Sequence, residues 1–160
     1  MLILRRTLLL WFLMFWQGGF LFYGAIVVTI GSDVLMSDFK QGLITRRVAM
    51  AMNVTGLFVL TAWLWDWFAE PATRRKRRWG AWLFLLLTVA CLMWLHPQMD
   101  ALIGTNDILD RDYFRHLHRW YLRIATAQWL GAVVFTVWTL QNWRDGDRSA
   151  AHERNTSLKR

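Results

Sequence analysis

The hydrophobic residues of this chain form four long uncharged runs, separated by short clusters of charge. The runs cover residues 8–30, 48–65, 79–95 and 124–143, which is 23, 18, 17 and 20 residues. At a rise of about 1.5 Å per residue, such helices measure roughly 26 to 35 Å, against a bilayer hydrocarbon core of about 30 Å. Backbone groups in lipid must bond within their own segment, so helices are expected rather than strands. The pattern therefore predicts four membrane-spanning helices.

Turn-forming and capping residues set the predicted ends of these helices. A Gly-Ser-Asp sequence at 31–33 ends the first helix and Glu-Pro at 70–71 ends the second. Pro97 ends or kinks the third, because the residue before a proline avoids helical backbone. Either Asp107 or Asp110 can cap the fourth, which we expect to begin near Asp110 and to project two or three turns beyond the membrane.

The predicted fold is all-α: an integral membrane four-helix bundle with antiparallel neighbours. One transmembrane domain, residues 1–144, contains spans at about 8–30, 48–67, 79–96 and 113–143, and a flexible basic tail follows at 145–160. Lys and Arg set the orientation. Twelve lie on the side of the termini, five of them in the run 74–78, against seven on the other side. This bias predicts both termini in the cytoplasm and a location in the cytoplasmic membrane.

Composition excludes several classes of protein. Of the 160 residues, 56% are hydrophobic, 12 are tryptophan and only 19% are charged, which excludes a disordered chain and a soluble enzyme. One cysteine, Cys91, excludes a disulfide framework and is best explained as a small apolar filler. The net charge of +8 needs no nucleic acid, because topology and contact with anionic lipid headgroups account for it.

Three amides lie inside the predicted spans, where polar groups need partners. Gln17, Asn53 and Gln128 belong to three different helices, and we interpret them as interhelical hydrogen-bonding groups rather than as a substrate path. Small residues such as Gly19 and Gly56 permit close approach of the helix backbones.

The end of the bundle opposite the termini carries the candidate metal ligands. His96, Asp100 and His118 are the primary set, and Met93, Met99 and His116 are alternates. Imidazole with thioether suits copper, and imidazole with carboxylate suits zinc. Interfacial packing of the same residues is the plainer alternative. His96 and His118 also have the residue type for two axial heme ligands, although neither lies deep within a span.

A stripe of arginines follows the start of the fourth helix at every fourth position. Arg115, Arg119 and Arg123, preceded by Arg111, predict a site for an anion or a lipid headgroup. The alternative is salt bridging to aspartates such as Asp100 in neighbouring loops, with Asp112 placed to pair with Arg115. At the other end, Asp66 is interpreted as an interfacial residue paired with the basic run 74–78, not as a proton carrier.

Three stretches carry a family resemblance. The aromatic segment 15–23, with its paired glycines, resembles the opening helix of bacterial domain-of-unknown-function proteins related to eukaryotic transmembrane protein 205. Pro97 is similar to that family's proline exit from helix three, and residues 114–118 resemble its Phe-x-x-Leu-His entry to helix four, which maps the family histidine to His118. The chain departs from the pattern at Thr29, where the family has proline.

The resemblance implies metal or small-solute handling, since the wider group resembles the copper-resistance D proteins. It implies no reaction, and no acyl-, phosphoryl- or hydride-transfer motif occurs in the chain. The leading hypothesis is a non-enzymatic bundle that binds a metal ion or small anion at the His96 end. The alternatives are a structural or assembly subunit of a larger membrane complex, and a heme-binding redox protein.

Overall fold

A computed structural model describes residues 2–68, 76–104 and 107–157 of the chain. Within these ranges the protein consists of four helices: α1 (Leu2–Leu35), α2 (Asp38–Phe68), α3 (Lys76–Asp100) and α4 (Arg111–Ser157). All four are long and apolar enough to cross a membrane. The prediction of an all-α chain with four candidate membrane spans is therefore confirmed.

The first two helices extend beyond their predicted ends. α1 continues past the Gly-Ser-Asp sequence to Leu35, and the chain then turns at Met36, whose φ of 45° is left-handed. Ser37 caps the start of α2, since its hydroxyl accepts a hydrogen bond from the N–H of Lys40 at 3.3 Å. α2 thus starts at Asp38, ten residues before the predicted span, because hydropathy marks the lipid-immersed part of a helix and not its end.

The third helix does not end at its proline. Pro97 lies within α3, which continues for one more turn to Asp100. The continuation brings the side chains of His96 and Asp100, four residues apart, onto the same face. The predicted end of the second helix at residues 70–71 lies outside the described residues.

The fourth helix begins where the capping pattern predicts. The Asp110 carboxylate accepts hydrogen bonds from the backbone N–H groups of Asp112 (3.1 Å) and Tyr113 (2.9 Å), and α4 starts at Arg111. Its other end differs from expectation. The helix runs to Ser157, so residues 145–157 continue α4 where a tail was predicted.

A stripe of buried residues on each helix forms the bundle core. On α1 the stripe is Leu9, Leu13 and Trp16, at the spacing of one helix face. On α4 buried residues recur every three or four positions from 117 to 143. The opposite faces expose large apolar side chains such as Trp11 and Phe15, as expected of helices surrounded by lipid.

Close contact between helices depends on particular glycines. The Trp16 indole lies against Gly56, where an added Cβ would come within 2.6 Å of the ring, and Gly19 similarly faces Met52. Gly18, by contrast, has open space beside it. Only some of the small residues in these spans therefore serve backbone approach.

Candidate functional site

A cavity of about 620 Å³ lies at the end of the bundle where α1 ends and α2 begins. All four helices and the segment after α3 contribute to its lining. Much of the wall is apolar, including Val28, Phe39, Leu43, Met99 and Phe114. The volume falls within the roughly 300–1,000 Å³ of small-molecule sites, which are mostly apolar with a few fixed polar groups.

One polar group of this cavity is an amide and hydroxyl cluster that the sequence did not reveal. Gln41 donates from Nε2 to the Thr45 hydroxyl at 3.4 Å and to the Tyr23 hydroxyl at 3.5 Å, and Tyr23 donates to Thr45 at 3.2 Å. Tyr23 opens a π-helical turn at Tyr23–Val27, a widening typical of functional sites. The four-residue spacing of Gln41 and Thr45 is typical of one helix face, but the predicted span begins only at residue 48, so the sequence does not predict the cluster.

A second polar group joins α2 to α3. His96 donates from Nε2 to the backbone carbonyl of Arg46 at 2.9 Å, and its Nδ1 lies 3.4 Å from the Asp100 carboxylate. Asp100 in turn accepts from Arg46 Nε at 2.7 Å. Both ring nitrogens of His96 therefore face protein oxygens, and Arg46 holds the imidazole and the carboxylate in place.

The remaining candidate ligands are divided between the cavity and other surroundings. His118 lines the cavity and stacks on Phe114, with ring centroids 6.0 Å apart and planes within 8°. Met99 also lines it. His116 lies outside and accepts a hydrogen bond from Trp120 Nε1 at 3.1 Å, and Met93 packs against the main core. The cavity thus contains the primary set and one of the three alternates.

The primary metal set shares a cavity but does not form a metal centre. Among the described residues, no group of three or more His, Cys, Asp or Glu side chains is arranged to hold a metal ion. At His96 one of the two ring nitrogens is also blocked chemically. A carbonyl oxygen only accepts, so Nε2 carries its proton and cannot ligate a metal while it bonds to Arg46.

The arginine stripe turns away from the cavity along α4. Arg111 and Arg115 line the cavity, whereas Arg119 is exposed, and Arg123 lies over the Trp120 ring at 5.1 Å. Four residues turn a helix by about 400°, so each step displaces the side chain by about 40° and the stripe does not stay on one face. Arg115 pairs with Asp112 at 2.6 Å, as its spacing suggested.

The segment between α3 and α4 closes one side of the cavity. Asp107 accepts a hydrogen bond from Arg111 Nη2 at 2.6 Å and another from the N–H of Ile108 at 2.8 Å. The bond from Arg111, more than that from Ile108, holds the pKa of this carboxyl below its usual value. Asp107 is therefore ionised at neutral pH and offsets one arginine charge at the cavity.

The three predicted interhelical amides have different surroundings. Asn53 donates from Nδ2 to the Tyr121 hydroxyl at 3.1 Å and so joins α2 to α4 at the cavity. Gln128 is buried, but its Nε2 has no hydrogen-bond partner among the described residues. Gln17 is half-buried on α1.

The opposite end of the bundle contains a buried charge cluster. Asp66 is fully buried and contacts Arg78 Nη2 at 2.8 Å, Arg5 Nε at 3.1 Å and the Trp143 indole N–H at 3.1 Å. The pairing with Arg78 agrees with the sequence prediction. Asp66 lies between all four helices, and its position at the membrane interface stays a prediction. Residues 74 and 75 of the basic run lie outside the described residues.

Comparisons of the chain with protein families, with curated proteins and with solved structures found no match. The resemblance to proteins related to transmembrane protein 205 stays a prediction.

Proposed function

We propose that this chain is a non-enzymatic protein of the cytoplasmic membrane whose cavity binds a small amphiphilic anion, a carboxylate or phosphate group attached to an apolar tail. The observation that carries the proposal is the cavity of about 620 Å³, which combines apolar walls with arginine side chains at one end of a helix bundle.

The same contacts support the proposed arrangement in the membrane. The end of α1 and the start of α2 line the cavity, whereas Arg5 of α1 and Asp66 of α2 meet at the other end. These contacts support an antiparallel arrangement of α1 and α2, as the sequence predicts for neighbouring helices. The larger number of Lys and Arg on the side of Arg5 supports cytoplasmic termini and a cavity on the outer side.

The charge of the lining supports an anionic ligand. Three arginines line the cavity, Arg46, Arg111 and Arg115, against two aspartates, Asp100 and Asp107. A guanidinium has five N–H donors. Within the described residues Arg46 uses its Nε and Arg111 its Nη2, so both retain N–H groups that can bind a carboxylate or phosphate oxygen.

The apolar walls of the cavity support an apolar tail on the ligand. Phe39, Leu43 and Met99 offer no hydrogen bonds, so a fully hydrated inorganic anion would leave this part of the cavity poorly filled. A tail of several methylene groups gains about 0.8 kcal/mol for each one buried. The ligand is therefore expected to bind more tightly as its tail lengthens, until the cavity is full.

The test compares ligands that differ in one property. Octanoate, acetate and octanol are added to purified protein in mild detergent, and the thermal unfolding midpoint is followed by tryptophan fluorescence. Octanoate is expected to raise the midpoint most, because only octanoate has both the charge and the tail. Octyl phosphate serves as a further probe that distinguishes phosphate from carboxylate preference.

Two variants assign the effect to the cavity. Arg111→Gln removes an exposed lining arginine whose described partner is a local one, so the fold should be kept. Arg119→Gln is the matched control, two turns further along α4 and outside the cavity. The proposal fails if octanol matches octanoate, or if both variants respond alike. Bound copper or zinc by elemental analysis would instead favour the metal hypothesis.

A further inference from the structure

The middle of the bundle contains three buried polar atoms that the protein leaves unpaired. They are Trp16 Nε1 on α1, Asn53 Oδ1 on α2 and Gln128 Nε2 on α4. Among the described residues none of the three has a hydrogen-bond partner, and each side chain is at most 2% exposed. An unpaired buried polar group costs about 1–3 kcal/mol, and native structures contain few of them without a bound water.

The three residues lie within about one helical turn of each other in depth. Along both α2 and α4 the residue numbers rise from the cavity toward Asp66. Trp63 of α2 and Phe135 of α4 are in contact, with ring centroids 4.9 Å apart. Seven residues earlier on each helix, two turns nearer the cavity, lie Gly56 on α2 and Gln128 on α4. Gly56 is the residue on which the Trp16 indole rests, with Nε1 among its nearest atoms. Asn53 lies one turn away from Gly56 on the same helix.

The chemistry of the three atoms is complementary. Two are donors, the indole N–H and the amide N–H₂, and the third is a carbonyl acceptor. No two of them bond directly to each other. A water molecule accepts two hydrogen bonds and donates two, and buried waters typically make about three bonds to protein.

We propose that a buried water molecule occupies the middle of the bundle, accepting from Trp16 Nε1 and Gln128 Nε2 and donating to Asn53 Oδ1. This water fixes the orientation of the Asn53 amide. With Oδ1 turned to the water, Nδ2 faces α4 and donates to Tyr121, whose side chain lines the cavity. The site thus links α1, α2 and α4 and supports one wall of the cavity.

A direct test detects water at the Trp16 indole. In protein with ¹⁵N-labelled tryptophan in lipid nanodiscs, a cross-peak between water and the Trp16 indole proton is expected, assigned by its loss in Trp16→Phe. Trp11 is the internal control, because it lies nearby on α1 but on the exposed apolar face. Absence of the cross-peak at Trp16 overturns the proposal.

A stability measurement distinguishes a site that holds water from a dry site, because Gln128→Met destabilises the fold in the first case and stabilises it in the second. If water is bound, Gln128→Met removes one of its donors and raises the unfolding equilibrium constant at least about threefold. If the site is dry, the same change removes an unpaired polar group and stabilises the fold. The effect should also shrink by about threefold or more in a Trp16→Phe background, because the two residues share the water. Stabilisation by Gln128→Met, or equal effects in both backgrounds, overturns the proposal.

Discussion

The buried carboxylate of Asp66 is the point at which a single substitution should destabilise the bundle most. Asparagine at this position keeps the size of the side chain and removes its charge. Two guanidinium groups then lose their anion, one of them on Arg78, whose side chain is 1% exposed, and the other on Arg5 at 13%. Breaking a buried ion pair on one side costs about 3–5 kcal/mol, because the other charge stays buried without compensation.

The assay is unfolding in mild detergent by titration with a denaturing detergent, followed through tryptophan fluorescence. Trp143 donates to Asp66 and stacks on Trp63 with centroids 5.9 Å apart, so two of the twelve tryptophans that give the signal lie at this end of the bundle. Asp66→Asn is expected to raise the unfolding equilibrium constant roughly a hundredfold or more, the equivalent of about 3 kcal/mol.

The matched control is the exposed ion pair at the same end. Asp147 accepts two hydrogen bonds from Arg6, at 2.7 and 3.1 Å, but its side chain is 56% exposed, and exposed pairs contribute little. Asp147→Asn should therefore change the unfolding equilibrium far less. Adding Arg5→Gln to Asp66→Asn should recover part of the loss, because one uncompensated cation is removed. Equal effects of Asp66→Asn and Asp147→Asn would refute the reasoning.

Three further predictions concern other parts of the chain. Gly56→Ala should destabilise by about 1–3 kcal/mol in the same assay, since its Cβ meets a fully buried indole, whereas Gly18→Ala, with open space, should be neutral or stabilising. Met36→Gly should stabilise by about 1 kcal/mol, because glycine adopts a left-handed φ without strain. The pKa of Asp107 is lowered in the folded protein. Its carboxylate therefore stabilises the fold above its unfolded pKa of about 4, and this stabilisation is lost as the pH falls through the folded pKa. The thermal midpoint of Asp107→Asn should accordingly decline less in acid than that of the unsubstituted protein.

The sequence was sufficient for the helices and insufficient for their ends and partners. Four apolar runs predicted four helices, because lipid leaves a chain almost no other structure. The sequence does not predict the start of α2, because Lys40, Arg46 and Arg47 end the apolar run while the backbone stays helical. Local capping chemistry succeeded at Asp110, since the donors that it binds lie two and three residues ahead.

The candidate site was predicted in part, for a similar reason. Spacing within one helix identified His96 with Asp100, and Arg115 with Asp112. Contacts between different helices produce no regular spacing in the sequence. Nothing in the sequence pairs Arg5 with a carboxylate 61 positions later, or places Tyr23 beside Gln41 and Thr45.

The two ends of the bundle differ in how their charges are held, and this difference separates stability from binding. At Asp66 the charges are buried and shared among four helices, so they can be satisfied only in the folded state. Around the cavity, Arg111 and Arg115 pair with aspartates three or four residues away and stay largely exposed, so the fold depends on them little and a ligand can reach them. Asp66→Asn should accordingly lower the unfolding midpoint without reducing the shift that octanoate produces. Arg111→Gln should reduce that shift while leaving the midpoint of the ligand-free protein almost unchanged. If each variant changed both quantities in proportion, the two ends would be coupled, and the assignment of stability to one and binding to the other would fail.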